Sequence, residues 1–294
     1  MATISVFGGG AWGRALASAF RHTNETFIIS RRNLNLPYQI TQEEAQKSDF
    51  FIIAISSNAL PSWLSTSPLP KDSKILVASK GITNGLFVSN IFEKFYKQAK
   101  RSFLAGPSFA KEVLNGLPCA LNIHSHKLEY AEEWLPLFPH FIKPYVNDDV
   151  IGGEISGAYK NVIAIASGIC EGLKLGNNAK ASLIARGLIE MSRFGQFFGA
   201  KEETFLGLSG AGDLFLTSNS TLSRNFRVGL GLSQGKSLET ILEEIQETAE
   251  GIHTAKEIYS LAQKHNIYVP IAKEVVLIIQ GKNPKESLLT LMNR

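Results

Sequence analysis

The chain has 294 residues, 44% hydrophobic and 19% charged, with a formal net charge of +4, which excludes a disordered chain and fits an ordinary globular protein. Its Lys and Arg are dispersed, Arg31-Arg32 forming one adjacent pair, so no nucleic-acid-binding stripe is expected and the positive balance points to an anionic small molecule. Two distant cysteines, Cys119 and Cys170, exclude a disulfide framework and a zinc cluster; both read as buried free thiols in a reducing compartment, and no metal is expected.

Met1–Phe7 lacks the charge-then-apolar order of a signal peptide. No run approaches the ~20 apolar residues of a membrane helix, so the expected place is the cytoplasm, without integral membrane association. At about 150 residues per domain the length predicts two domains. Short β-rich runs come first: Thr3–Phe7, Thr26–Ile29, Phe50–Ile55, Lys74–Ala78, Ser102–Ala105, Cys119–Ile123 and one around Phe141–Val146. Several are continuously apolar, as in strands buried on both faces, and helical stretches separate the early ones. This predicts an α/β chain whose N-terminal Rossmann domain, residues 1–148, is a doubly wound parallel sheet that binds a dinucleotide. From Glu154 onward apolar residues recur at spacings of three and four, beginning with Ile155, Ala158, Val162, Ile165 and Ile169. Later helices are expected over Ala179–Phe198, Ser237–Ile245, Thr254–His265 and Ala272–Gln280, with Gly-rich loops at Gly207–Gly212 and Gly229–Gly235. Residues 149–294 are therefore expected to form an all-helical substrate-binding and catalytic domain.

The first strand runs into Gly8-Gly9-Gly10-Ala11-Trp12-Gly13 and then a good helix former. In this G-x-G-x-x-G, Gly8 permits the tight turn, Gly10 lets backbone approach a pyrophosphate, and Gly13 lets the helix pack on the strand. The helix N-terminus faces the phosphates with free N–H groups. A lone match is weak; a preceding strand and a following helix are the context it needs. After the second strand, where NAD enzymes usually place an acid for the ribose hydroxyl, stands Ser30-Arg31-Arg32. Arginine can pair with a 2′-phosphate, which favours NADP over NAD, although one Arg could simply lie in solvent.

Hydride transfer to a ketone needs an acid for the developing alkoxide and cations for an anionic substrate. None of the six His residues lies in a motif-like setting. Lys160, in Gly157-Ala158-Tyr159-Lys160-Asn161-Val162 near the start of the most apolar helix, has small neighbours on its own face. Lys80 follows a strand at the carboxyl edge of the sheet, where open α/β sheets bind ligands, as does Gly106-Pro107-Ser108; each could equally be a plain loop. Asp213 is either a helix N-cap or the partner that orients Lys160. Ser223-Arg224-Asn225 reads as a cap and helix start suited to phosphate, or as a cap beside a solvent-facing Arg.

The stretches GGGAWGRALA (8–17), SKGI (79–82), AGPSFAKEV (105–113), GAYKNVIAIASG (157–168), GLSGAGDLFLT (207–217), SRN (223–225) and EGIHTAKE (250–257) together resemble the NAD(P)-dependent glycerol-3-phosphate dehydrogenase family of the bacterial type. The resemblance implies that Lys160 is the catalytic acid–base group. It implies substrate contacts from Lys80, Gly106, Ser108, Asp213, Ser223, Arg224 and Asn225. It also implies a cofactor site lined by Ala11, Trp12, Arg31, Lys80, Ala110, Arg224, Thr248 and Glu250. It further implies a homodimer that supplies glycerol 3-phosphate for phospholipid synthesis. The chain departs from the family pattern between Arg32 and Asp49, where the connection is short and only Asn33-Leu34-Asn35-Leu36-Pro37 remains of a longer segment; Thr41-Gln42-Glu43-Glu44 still offers a capping box. Two rival readings remain at this point: a β-hydroxyacid dehydrogenase with a helix lysine, and a non-catalytic NADP-binding sensor.

Overall fold

The computed structural model describes residues 1–66, 69–246 and 249–292. They fall into two contact-dense units, one comprising Met1–Lys80 with Leu86–Glu154, the other Gly81–Gly85 with the chain from Ile155 onward.

In chain order the first unit contains β1 (Thr3–Phe7), α1 (Ala11–Phe20), β2 (Glu25–Ile29), α2 (Gln42–Ala45), β3 (Phe50–Ile53), α3 (Leu60–Thr66) and β4 (Lys74–Val77). Past the short strand β5 (Ile82–Thr83) come β6 (Leu86–Phe87), α4 (Val88–Phe95), β7 (Lys100–Ala105), α5 (Ala110–Leu114), β8 (Cys119–His124), α6 (Leu128–Glu132) and β9 (Ile142–Asn147). The main sheet has the order β2-β1-β3-β4-β7-β8-β9. Successive side chains of β3 explain its wholly apolar sequence. Phe50 and Ile52 join a core with Leu16, Phe20 and Trp134, whereas Phe51 and Ile53 join a separate core with Leu60, Leu64 and Phe92. Period-two alternation thus feeds two cores, one on each face of a doubly wound sheet.

Every pair in that sheet is parallel except β7–β8, where Phe103 faces His124 in antiparallel register. The only helix between them is α5, with five residues. At 1.5 Å per residue it spans about 7.5 Å, too little to return the chain along a six-residue strand at about 3.3 Å per residue. The chain therefore re-enters from the end at which β7 finished. The shortened segment after β2 is held locally. Gln39 accepts from the Leu34 N–H (2.8 Å) and donates to the Arg32 carbonyl (2.9 Å). The capping box forms, Thr41 accepting from the Glu44 N–H while Glu44 accepts from the Thr41 N–H.

The second unit is helical: most of α7 (Val150–Gly172), then α8 (Gly176–Phe197), α9 (Glu202–Leu206), α10 (Asp213–Ser218), α11 (Arg224–Ser233), α12 (Leu238–Ile245), α13 (Glu250–His265), α14 (Pro270–Ile279) and α15 (Pro284–Met292). Four expectations need correction. Lys160 lies in the interior of α7 and not near its start, because Asp149 accepts the Gly152 N–H (2.9 Å) and starts the helix at Val150, ahead of the Glu154 from which the helical pattern was expected. The expected Gly229–Gly235 loop is helical through Ser233. Its glycine serves close packing: a Cβ on Gly229 would stand 2.1 Å from the Ile165 carbonyl oxygen of α7. The expected Gly207–Gly212 loop contains a single π turn over Leu208–Gly212 that leads directly into α10. Of the thiols, Cys170 is buried, whereas Cys119 is only half-buried.

Candidate active site

In the first unit the chain passes from β1 to its neighbour β2, then crosses to β3 on β1's other side. The carboxyl ends of β1 and β3 thus flank a topological switch point, the position where such sheets receive a nucleotide. The fingerprint sits there. Gly8 has φ +128°, and a Cβ on it would lie 2.3 Å from the Ala54 carbonyl oxygen. A Cβ on Gly13 would stand 1.9 Å from the Gly8 oxygen. Gly10 is different: a Cβ there would meet nothing within 4 Å, so packing within the protein gives no reason for glycine. Gly10 is also the N-cap of α1 and offers no side-chain cap, leaving the first-turn N–H groups, Ala11's included, open to an anion. The Trp12 indole N–H is buried without a hydrogen-bond partner among the described residues, a cost that a ligand acceptor would relieve. Arg31 and Arg32 follow β2, both exposed. The residues present fit a dinucleotide.

The other candidates in this unit also stand past strand ends. Ser79, beyond β4, donates to the Ile55 carbonyl (2.5 Å) and so ties together the ends of β4 and β3. Lys80 follows, half-buried. Gly106, at φ +120°, turns the chain after β7, and Ser108 donates to its carbonyl (3.3 Å). Ala110 opens α5.

In the second unit the Lys160 ammonium lies 2.5 Å from an Asp213 carboxylate oxygen, with side-chain exposures of 9% and 1%. Thr217, one turn beyond Asp213, donates to the same oxygen (3.3 Å). Asp213 is the first residue of α10, whose N-cap is Gly212, so the N-cap reading falls; its carboxylate pairs with Lys160. Small residues around Lys160 leave room for this: Ser156, Gly157, Ala164 and Ser167 are all buried with it. The Asn225 side-chain oxygen accepts the Gly251 N–H (3.0 Å), and a Cβ on Gly251 would stand 2.9 Å from the Asn161 carbonyl. These contacts gather Lys160-Asn161, Arg224-Asn225 and Glu250-Gly251 from three helices. Ser223 is the N-cap of α11 as expected, its hydroxyl accepting from the Phe226 N–H (3.2 Å); Arg224 is half-buried on the first turn. Thr248 lies outside the described residues. Among the described residues no cluster of His, Cys, Asp and Glu could hold a metal.

Four of the six histidines pack on aromatic rings or stand beside a carboxylate. His22 and His140 stand edge-on to Phe141, His265 lies against Phe197 and Phe198, and His253 is 3.5 Å from Glu257. Burial pushes fully enclosed His124 down to about 4, which keeps it neutral.

Sequence reasoning missed Glu154. Its two oxygens accept from the Ser89 N–H (2.7 Å) and hydroxyl (2.5 Å), capping α4 from the side of α7. Burial pushes the carboxyl up to about 7, against the pull of the hydrogen bonds from Ser89 and Val88. The folded value exceeds the ordinary 4.5, so the resulting stability is complete below pH 4.5 and is lost as pH rises through about 7. His124 acts in the opposite sense: its depressed value contributes stability above pH 6.5 that is lost on acidification toward pH 4. The difference between wild type and Glu154→Gln isolates the carboxyl. Between pH 5 and pH 8 the wild type should lose about 3 kcal/mol relative to the variant, read by urea denaturation; parallel pH curves would contradict the assignment.

Comparisons with known proteins agree with this geometry. The family described as NAD-dependent glycerol-3-phosphate dehydrogenase matches over residues 32–131 with its N-terminal model and over 149–290 with its C-terminal model. A glycerol-3-phosphate dehydrogenase [NAD(P)+] of Wolinella succinogenes is 59% identical over 292 residues, covering 99% of this chain and 98% of that relative. One from Helicobacter hepaticus is 56% identical, covering 99% and 100%. A solved structure of glycerol-3-phosphate dehydrogenase from Coxiella burnetii superposes with TM-score 0.93 at 30% identity, covering 100% of this chain and 99% of that one. The chain therefore belongs to the NAD-dependent glycerol-3-phosphate dehydrogenase family.

Proposed function

We propose that this chain interconverts sn-glycerol 3-phosphate and dihydroxyacetone phosphate, using NAD or NADP, and supplies glycerol 3-phosphate for phospholipid synthesis. The observation that carries the reading is the buried Lys160–Asp213 pair beside the Arg224-Asn225 helix start, in a chain more than half identical to enzymes bearing that activity's name. A bound nicotinamide supplies or accepts the hydride. Lys160 gives its proton to the carbonyl oxygen during reduction and takes it back from the alcohol in the reverse direction, as a general acid–base group. Asp213, itself held by Thr217, fixes the ammonium in place. The Arg224 guanidinium and the open N–H groups of α11 hold the substrate phosphate, with Asn225 and Ser223 setting that helix start. In the other unit Lys80, Gly106 and Ser108 offer one cation, backbone N–H groups and a hydroxyl to the substrate. Gly8, Gly10, Ala11, Trp12 and Gly13 cradle the pyrophosphate. Ala110, Arg224, Thr248 and Glu250 are the remaining residues we assign to the cofactor. Residues 1–148 thus act in dinucleotide binding and 149–294 in substrate binding and catalysis.

The test follows consumption of NADPH, and separately NADH, with dihydroxyacetone phosphate, and in the reverse direction compares glycerol 3-phosphate with 3-hydroxyisobutyrate. Turnover of the phosphorylated pair alone supports the reading. Turnover of 3-hydroxyisobutyrate alone, or cofactor binding without any oxidation, would refute it.

Arg31 and Arg32 have no ion-pair partner among the described residues, and we assign them to the 2′-phosphate, which favours NADP. Replacing both by Ala should raise KM for NADPH about tenfold or more, the worth of a charge-assisted hydrogen bond, while leaving KM for NADH within about threefold. Equal effects on both cofactors would place the arginines elsewhere.

The chain acts as a homodimer in this reading. It works in the cytoplasm. Among the described residues no helix is long and apolar enough to cross a membrane.

A further inference from the structure

The helical unit contains a cavity of about 290 Å3 between α7, α8, α14 and α15, with Ala166, Ile169, Leu183, Val275, Ile278 and Leu288 among its walls. The lining does not include Lys160, Asp213, Arg224 or Asn225. Ala166 and Ile169 point away from Lys160 around α7, given 3.6 residues per turn. The volume sits at the lower end of small-molecule sites, far too small for a helix of another protein.

Two polar features select the occupant. Ser287 lines the cavity, is 2% exposed, and its hydroxyl has no hydrogen-bond partner among the described residues. A buried hydroxyl in that state calls for a ligand acceptor or donor. Arg186, at the exposed rim, donates one N–H to the Leu291 carbonyl (3.1 Å). Leu291 is one turn beyond Ser287 on α15, and Arg186, Ser287 and Leu291 all line the cavity. Glu274, also in the wall, is already neutralised by Lys282 at 2.6 Å. Arg186 has no ion-pair partner among the described residues, which leaves one unmatched positive charge at the rim.

We infer that this cavity binds a medium-chain carboxylate, its apolar chain lying between α7 and α14 and its carboxylate meeting Arg186 and Ser287. The chain removes the apolar walls from water. The carboxylate takes charge-assisted hydrogen bonds from the fork of Arg186 and the Ser287 hydroxyl. The site is independent of the dehydrogenase chemistry.

Isothermal titration calorimetry of the full chain with octanoate tests this, with 1-octanol as the uncharged control. The wild type should bind octanoate saturably at one site per chain and more tightly than 1-octanol. Arg186→Gln, an exposed position, should weaken octanoate about tenfold, in line with loss of one charge-assisted bond. Ala179→Trp, which fills the cavity, should abolish binding while circular dichroism stays unchanged; should that variant misfold, Arg186→Gln decides alone. No saturable binding to the wild type, equal affinity for 1-octanol, or an unweakened Arg186→Gln would each overturn the assignment.

Discussion

Lys160→Ala should lower kcat by about a thousandfold, within the range that a positioned general acid contributes, while leaving the dissociation constant for NADPH within about twofold. The two readouts separate because the proposed phosphate cradle is built from β1, the glycine turn and α1, in the unit that does not contain Lys160. Stability should fall as well. Asp213 is 1% exposed, and stranding one member of a buried pair costs about 3–5 kcal/mol. A double variant, Lys160→Met with Asp213→Leu, removes both charges and should recover most of that stability without recovering turnover. Parallel losses of turnover and NADPH affinity in Lys160→Ala would instead make the lysine a folding residue.

The second large effect contrasts two glycines three residues apart in one motif. Gly10→Val should leave the thermal midpoint nearly unchanged, since a Cβ there meets no atom within 4 Å. It should nevertheless raise KM for NADPH about a hundredfold, because the side chain occupies the approach to the pyrophosphate. Gly13→Ala should do the reverse in order of cause. Its Cβ would lie 1.9 Å from the Gly8 oxygen, forcing α1 from β1 and destabilising the unit by about 3 kcal/mol or more. Cofactor binding then fails through the fold. Differential scanning fluorimetry beside the kinetics distinguishes the two. A destabilised Gly10→Val with unchanged KM would contradict the role assigned to that position.

Local signals were the most readable. The fingerprint, the Thr41–Glu44 capping box and the Ser223 cap each depend on residues within a few positions, and each forms as its spacing predicts. The continuous apolar run at Phe50–Ile53 announced a strand buried on both faces. What escaped depends on distant partners. Gly229 reads as a loop breaker until Ile165 of another helix is placed against it. The antiparallel β7–β8 pair follows from the shortness of α5, which spacing alone left open. Glu154 carries no motif; only the fold brings Ser89 to it. Asp213 was ambiguous between cap and partner until the 53-residue separation from Lys160 closed to an ion pair.

The most direct test of proton transfer by Lys160 is amine rescue of Lys160→Ala. Dihydroxyacetone phosphate reduction by this variant is measured against increasing ethylamine, with tetramethylammonium as a cation that has no proton to give. The rate should climb with ethylamine and not respond to tetramethylammonium. A rate indifferent to ethylamine, or raised equally by both cations, would mean that the lysine contributes charge or packing and that another group moves the proton.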